Sequence, residues 1–154
     1  MRAEILDLNH PHQRAARIVI ECAPAKIFEY LARPASHALF DGSSTVQGAL
    51  SGPERLSLGA KFGMEMKIKV PYRITNEVVA FDENRLITWR HLMKWTWSYE
   101  LVDLGNGSTQ VTETFDASVC SPAQLWWLKK TDSLARNPKW MAKSLVKLKA
   151  LCEA

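Results

Sequence analysis

Between Arg85 and Ala117 apolar and polar side chains alternate so regularly that the stretch reads as antiparallel strands with one face buried and one in water. One set runs Ile87, Trp89, His91, then Trp95, Trp97, Tyr99, Leu101, then Val111, Glu113, Phe115, Ala117. The interleaved set is Thr88, Arg90, Thr96, Ser98, Glu100, Gln110, Thr112, Thr114 and Asp116. Gly105-Asn106-Gly107 tolerates positive φ and reads as a hairpin turn. A slip of one residue would turn every side chain to the wrong face, so the pattern dictates register. It sets Leu101 opposite Val111, Tyr99 opposite Glu113 and Trp97 opposite Phe115. Across a second turn at Leu92-Met93-Lys94 it sets His91 opposite Trp95, Trp89 opposite Trp97 and Ile87 opposite Tyr99. One sheet face thus gathers large aromatics around two ionisable groups, His91 and Glu113.

The flanking segments are read the same way. Residues 1–14 are polar and predict a loose arm, leaving residues 15–154 as a single domain. His10 and His12 within the arm lack a third ligand, so no metal site is assigned. Ala16 to Cys22 alternates as a strand. Pro24 then opens a helix carrying Ile27, Phe28, Tyr30 and Leu31, and Pro34 opens a second short one through Phe40, with His37 on its surface or acting as a lid. Ser44 to Leu50 is a weak strand and Ala60 to Val70 a strong one, with Phe62, Met64, Met66, Ile68 and Val70 on one face. Pro71 predicts a break before a strand from Tyr72 to Phe81, in which two alternations compete. After Ser121-Pro122 the period becomes helical. Asn137-Pro138 predicts an interruption, and a last helix to about Cys152 aligns Met141, Leu145, Leu148 and Cys152 in one apolar stripe.

The order of one strand, two short helices, about six further strands and a long C-terminal helix predicts an α+β fold, with helices on one face of an antiparallel sheet of 6–7 strands. Such a sheet curls, and the final helix is the available cover for its aromatic face. At roughly 2–3 kcal/mol per buried large side chain, Trp89, Trp97 and Phe115 together represent ~6–9 kcal/mol of gross burial, too much to leave in water. With that order in place, the segments Ile18 to Leu31, Asn76 to Phe81, Ile87 to Arg90, Trp97 to Leu101 and Gly107 to Glu113 carry a resemblance. The chain resembles the START/Bet v 1-type helix-grip (SRPBCC) superfamily over about residues 15–152, and within it the polyketide cyclase/dehydrase-like proteins. The resemblance implies a deep apolar cavity between the sheet and the C-terminal helix. It implies no single reaction, because the superfamily holds both enzymes and carriers.

Composition narrows the classes. At 154 residues, 47% hydrophobic and 23% charged, the chain reads as an ordinary soluble domain. It has no apolar run of membrane-spanning length, and the N-terminus has no secretory h-region. Cys22, Cys120 and Cys152 are odd in number and far apart, which argues against a disulfide scaffold or zinc site and predicts a cytoplasmic protein. No phosphate-binding Gly loop, metal cluster or Ser-His-Asp pattern occurs, so no cofactor is assigned. Lys129, Lys130, Arg136, Lys139, Lys143, Lys147 and Lys149 concentrate positive charge near the C-terminus, although the net charge is only +4. That concentration reads as the wet side of an amphipathic helix, with Lys139, Lys143 and Lys147 upon it. No nucleic-acid motif accompanies it.

Three functional readings follow. The first is a binder of a hydrophobic small molecule, such as a lipid, polyketide or aromatic metabolite. Its cavity would be lined by Phe62, Met64, Met66, Trp89, Trp95, Trp97, Phe115, Met141 and Leu145. The second is a cyclase/dehydratase-type enzyme using Glu113, Tyr99 and His91 as acid–base groups. Tyr99 and Glu113 are cross-strand neighbours with Cβ atoms ~5 Å apart. His91 stands on the order of 16 Å from Glu113, too far for a dyad. The third is a module that docks its basic C-terminal helix on a partner or on an anionic membrane, as a monomer or homodimer.

Overall fold

A computed structural model describes residues 2–154. One sheet of eight antiparallel strands runs in the order β1-β2-β8-β7-β6-β5-β4-β3. The strands are β1 (Glu4–Leu6), β2 (Gln13–Ile20), β3 (Val46–Ser51), β4 (Lys61–Ile68), β5 (Val70–Asp82), β6 (Leu86–His91), β7 (Thr96–Asp103) and β8 (Thr109–Asp116). Helices α1 (Pro24–Ala32) and α2 (His37–Phe40) follow β2, joined by a 3₁₀ turn at Pro34–Ser36; α3 (Pro122–Lys130) and α4 (Ser133–Glu153) close the chain. No helix is long and apolar enough to cross a membrane among the described residues. This is the α+β helix-grip architecture expected, with eight strands instead of 6–7. The extra strand comes from the arm, which is not loose: Glu4 pairs with Arg17 and Leu6 with Ala15, covering the outer edge of β2. A Glu4–Arg17 ion pair at 2.8 Å accompanies the ladder. Met1 lies outside the described residues.

The register through β6, β7 and β8 is the one the alternation dictates, with Trp89–Trp97, Ile87–Tyr99, Trp97–Phe115, Tyr99–Glu113 and Leu101–Val111 in opposition. The Leu92-Met93-Lys94 turn closes as the His91 N–H donates to the Trp95 carbonyl and the Lys94 N–H to the His91 carbonyl, each at 2.8 Å. Lys94 takes the left-handed conformation (φ 76°) that such a three-residue loop requires.

Two expectations need correction. The strong strand ends at Ile68, not Val70: Lys69 at φ 64° reverses the chain, and Pro71 pairs with Lys67 inside β5. Within β5 both competing alternations are right in turn. Ile74, Asn76 and Val78 point inward until a bulge between Val78 and Ala80 shifts the register, after which Phe81 packs edge-on against Phe28.

The final helix is not interrupted at Asn137-Pro138; the break lies earlier, where Asp132 adopts the left-handed conformation. Ser121 and Gln124 form a reciprocal capping box on α3. Pro138 sits inside α4 and removes the amide that would bond the Leu134 carbonyl. The Arg14 Nε–H donates to that carbonyl at 3.0 Å. Arg14→Met is expected to cost about 1.5–3 kcal/mol in urea titrations, the range for a hydrogen bond to a charged group. In a Pro138→Ala background the cost should shrink, because the restored amide at position 138 serves Leu134 instead. Met141, Leu145, Leu148 and Cys152 face the core from α4, which packs on β2 and α2.

Candidate functional site

The curl of the sheet, α2, α3 and α4 leave between them a cavity of about 640 Å³. Its floor carries the inward side chains of β4 to β8, placed by strand alternation; its roof is the α4 face that begins at Ser133. Phe62, Met64, Met66, Trp89, Trp95, Trp97, Phe115 and Met141 all line it. Leu145 does not: it is fully buried in the packed core. Trp97 and Phe115 lean together with ring centroids 4.7 Å apart, and Trp89 and Tyr99 at 5.7 Å.

Glu113 and Tyr99 reach the same wall. The Tyr99 hydroxyl donates to Glu113 Oε1 at 2.8 Å, while Glu113 Oε2 is buried without any partner. Burial pushes the Glu113 carboxyl up to about 8; the negative charge of Asp41 adds to this and the Tyr99 bond opposes it. At neutral pH the carboxyl is therefore mostly protonated. Burial also carries the Tyr99 phenol well above its ordinary value. The pair can donate or accept a proton at Oε2, on a residue that lines the cavity.

His91 lines the cavity two strands and four residues away from Glu113. Its ring stacks on Trp95 with centroids 4.4 Å apart, and Nδ1 accepts the Met93 N–H at 3.0 Å, so its proton sits on Nε2. Burial lowers it to about 4, which keeps it neutral.

His37 is neither surface nor lid. It is buried under α2, where its ring stacks on Trp89 (5.0 Å) and Nε2 bonds the Leu31 carbonyl at 2.8 Å. Desolvation lowers it to about 4, against the opposing effects of that bond and of Asp41. The Asp41 carboxylate is itself occupied by the Ser43 hydroxyl and the Thr45 and Val46 amides.

Four lining residues escape sequence reasoning. Asn76 belongs to one of the two alternations of β5 and reads there as an ordinary polar neighbour; buried, its Oδ1 has no partner. Arg136 reads as one of a basic run, yet its Nε is buried and unpaired at the cavity roof, its guanidinium 4.5 Å from the Trp140 ring centroid. Trp127 and Trp140 also line the space, so five of the chain's six tryptophans face it. The basic run is not uniformly wet either. The Lys149 ammonium is buried against the Val19 carbonyl and Glu153, and Lys147 donates to the Asp41 carbonyl at 2.9 Å.

Comparison with known proteins agrees with this geometry. A 105-residue stretch is 42% identical to the uncharacterized protein Rv0088 of Mycobacterium tuberculosis, covering 67% of this chain and 47% of that protein. The chain thus spans about half the length of the curated relatives it matches. Protein Ms6760 of Mycobacterium smegmatis has a similar fold, with a TM-score of 0.69 at 15% identity over 98% of this chain and 97% of that one. The Polyketide_cyc-like protein Cgl2372 of Corynebacterium glutamicum aligns with a TM-score of 0.61 at 18% identity over 92% of this chain and 91% of that one. The model of the family described as polyketide cyclase / dehydrase and lipid transport matches residues 12–153, nearly the whole sheet-and-helix unit just described. With its sheet gripping α4 over an apolar hollow, the chain belongs to that polyketide cyclase/dehydrase and lipid transport family of the helix-grip superfamily.

Proposed function

We propose that the protein binds a hydrophobic small molecule, a lipid, polyketide or aromatic metabolite, in the cavity between the sheet and α4. One observation carries the reading: an aromatic- and methionine-walled space of about 640 Å³ lies under the helix, within the size range of small-molecule sites. Soft thioether side chains at Met64, Met66 and Met141 suit an irregular apolar body. Because five tryptophans face the space, occupancy should quench or shift intrinsic fluorescence. Titration with fatty acids and polyaromatic probes should give saturable changes, and native mass spectrometry of freshly purified protein should show a co-purified apolar mass. A clean apo mass together with flat titrations would dismiss the reading.

A second reading, in which Glu113 with Tyr99 and His91 transfers protons on the bound molecule, has one observation in its favour. Glu113 lines the cavity with a buried, unpartnered carboxyl oxygen, and burial pushes that carboxyl up to about 8. Its distance from His91 argues for Glu113 and Tyr99 acting without the histidine.

A further inference from the structure

Arg136 stands apart from the chain's other half-buried guanidinium groups. Arg33 and Arg55 each hold carboxylates, and Arg14 is spent on backbone carbonyls. Among the described residues Arg136 has no carboxylate partner. Its Nη2 donates to Ser133 Oγ at 3.2 Å, the guanidinium lies over Trp140, and Nε is buried with nothing to accept its proton. A desolvated guanidinium N–H without an acceptor is costly, so the arrangement is incomplete as it stands. The rest of the wall does not supply the missing charge. Asp41 is committed to its own loop, and Glu113 is bonded to Tyr99, with burial favouring its neutral form. Arg136 lines the cavity, so a ligand that enters it can supply the acceptor.

A guanidinium presents Nε–H and an Nη–H as a parallel fork that matches the two oxygens of a carboxylate. The Trp140 ring lies against the guanidinium, its centroid 4.5 Å from the central carbon. The aromatic and methionine side chains of the floor suit an apolar body. Resting on the binding reading above, we propose that the ligand is an amphipathic organic acid, its carboxylate held by Arg136 at the roof and its apolar part laid along the sheet.

The test compares decanoate with decanol and methyl decanoate at neutral pH, read by tryptophan fluorescence in the wild type, Arg136→Gln and Arg136→Lys. The wild type should bind decanoate about tenfold or more tightly than the neutral pair, the factor expected of a charge-assisted bond. Arg136→Gln should bring the three probes within about threefold of one another, and Arg136→Lys should keep part of the preference. Equal binding of all three probes by the wild type, or a preference that survives Arg136→Gln, overturns the proposal and leaves the cavity reading standing. No response to any probe overturns both. The wild-type comparison decides the matter by itself should Arg136→Gln fail to fold.

Discussion

Between pH 6.5 and 8 the wild-type protein should lose about 2 kcal/mol of stability that Glu113→Gln does not lose. The sign follows from burial. Folding raises the carboxyl from its ordinary 4.5 to about 8, so between those values the unfolded chain releases a proton that the folded chain retains. The contribution is complete below about 4.5, declines as pH rises, and is exhausted by about 8. The part above pH 6.5 is the useful one to measure. His37 and His91, both lowered to about 4, impose the opposite dependence below 6.5, where the unfolded histidines take up protons. Glutamine keeps an oxygen for the Tyr99 hydroxyl but cannot ionise, and the Tyr99 phenol titrates above this window. Denaturant titrations at three pH values in both proteins measure the difference. Parallel pH dependences would mean that Glu113 is already ionised in the fold.

Gly42→Ala should be among the most damaging single substitutions, costing about 3 kcal/mol or more. An added Cβ would stand 2.2 Å from the Trp140 carbonyl oxygen, 2.6 Å from the Ser144 amide and 2.7 Å from Lys143 Cβ. Two of these are backbone atoms of α4, which cannot rotate aside. The loop after α2 rests directly on the helix at this point, and the Gly42 N–H donates to Ser144 Oγ at 2.8 Å. Pushing the two apart would open the cavity wall, so affinity for any apolar probe should fall with stability. At ~2–4 °C per kcal/mol for a chain of this size, the melting temperature should drop by roughly 6–12 °C. Gly48→Ala is the control: nothing lies within 4 Å of its added methyl, and its effect should stay within about 0.5 kcal/mol.

The two predictions differ in what the sequence discloses. Glu113 is found from the chain itself, because it interrupts an apolar face and register puts it opposite Tyr99. Gly42 looks like an ordinary turn residue after a short helix. The same division runs through the site. Seven lining residues proposed from alternation and Met141 from the helical stripe face the cavity, whereas Leu145, on that same stripe, is packed behind the wall. A helical stripe says which side of α4 is buried, not where along it the packing ends.

Alternation and helical period are relations between near neighbours, so the chain by itself determined the strands, their pairing through β6 to β8, the facing of the aromatic floor and the α+β grip around a final helix. What only the tertiary structure decided depends on groups remote in sequence. The bulge that reconciles the two faces of β5 is set by pairing with β6. The continuity of α4 through Pro138 rests on Arg14, from the other end of the chain. His37 and Arg136 acquired their roles when closure of the sheet around the helix removed water from them. Desolvation depends on which surfaces meet, and no local pattern records that.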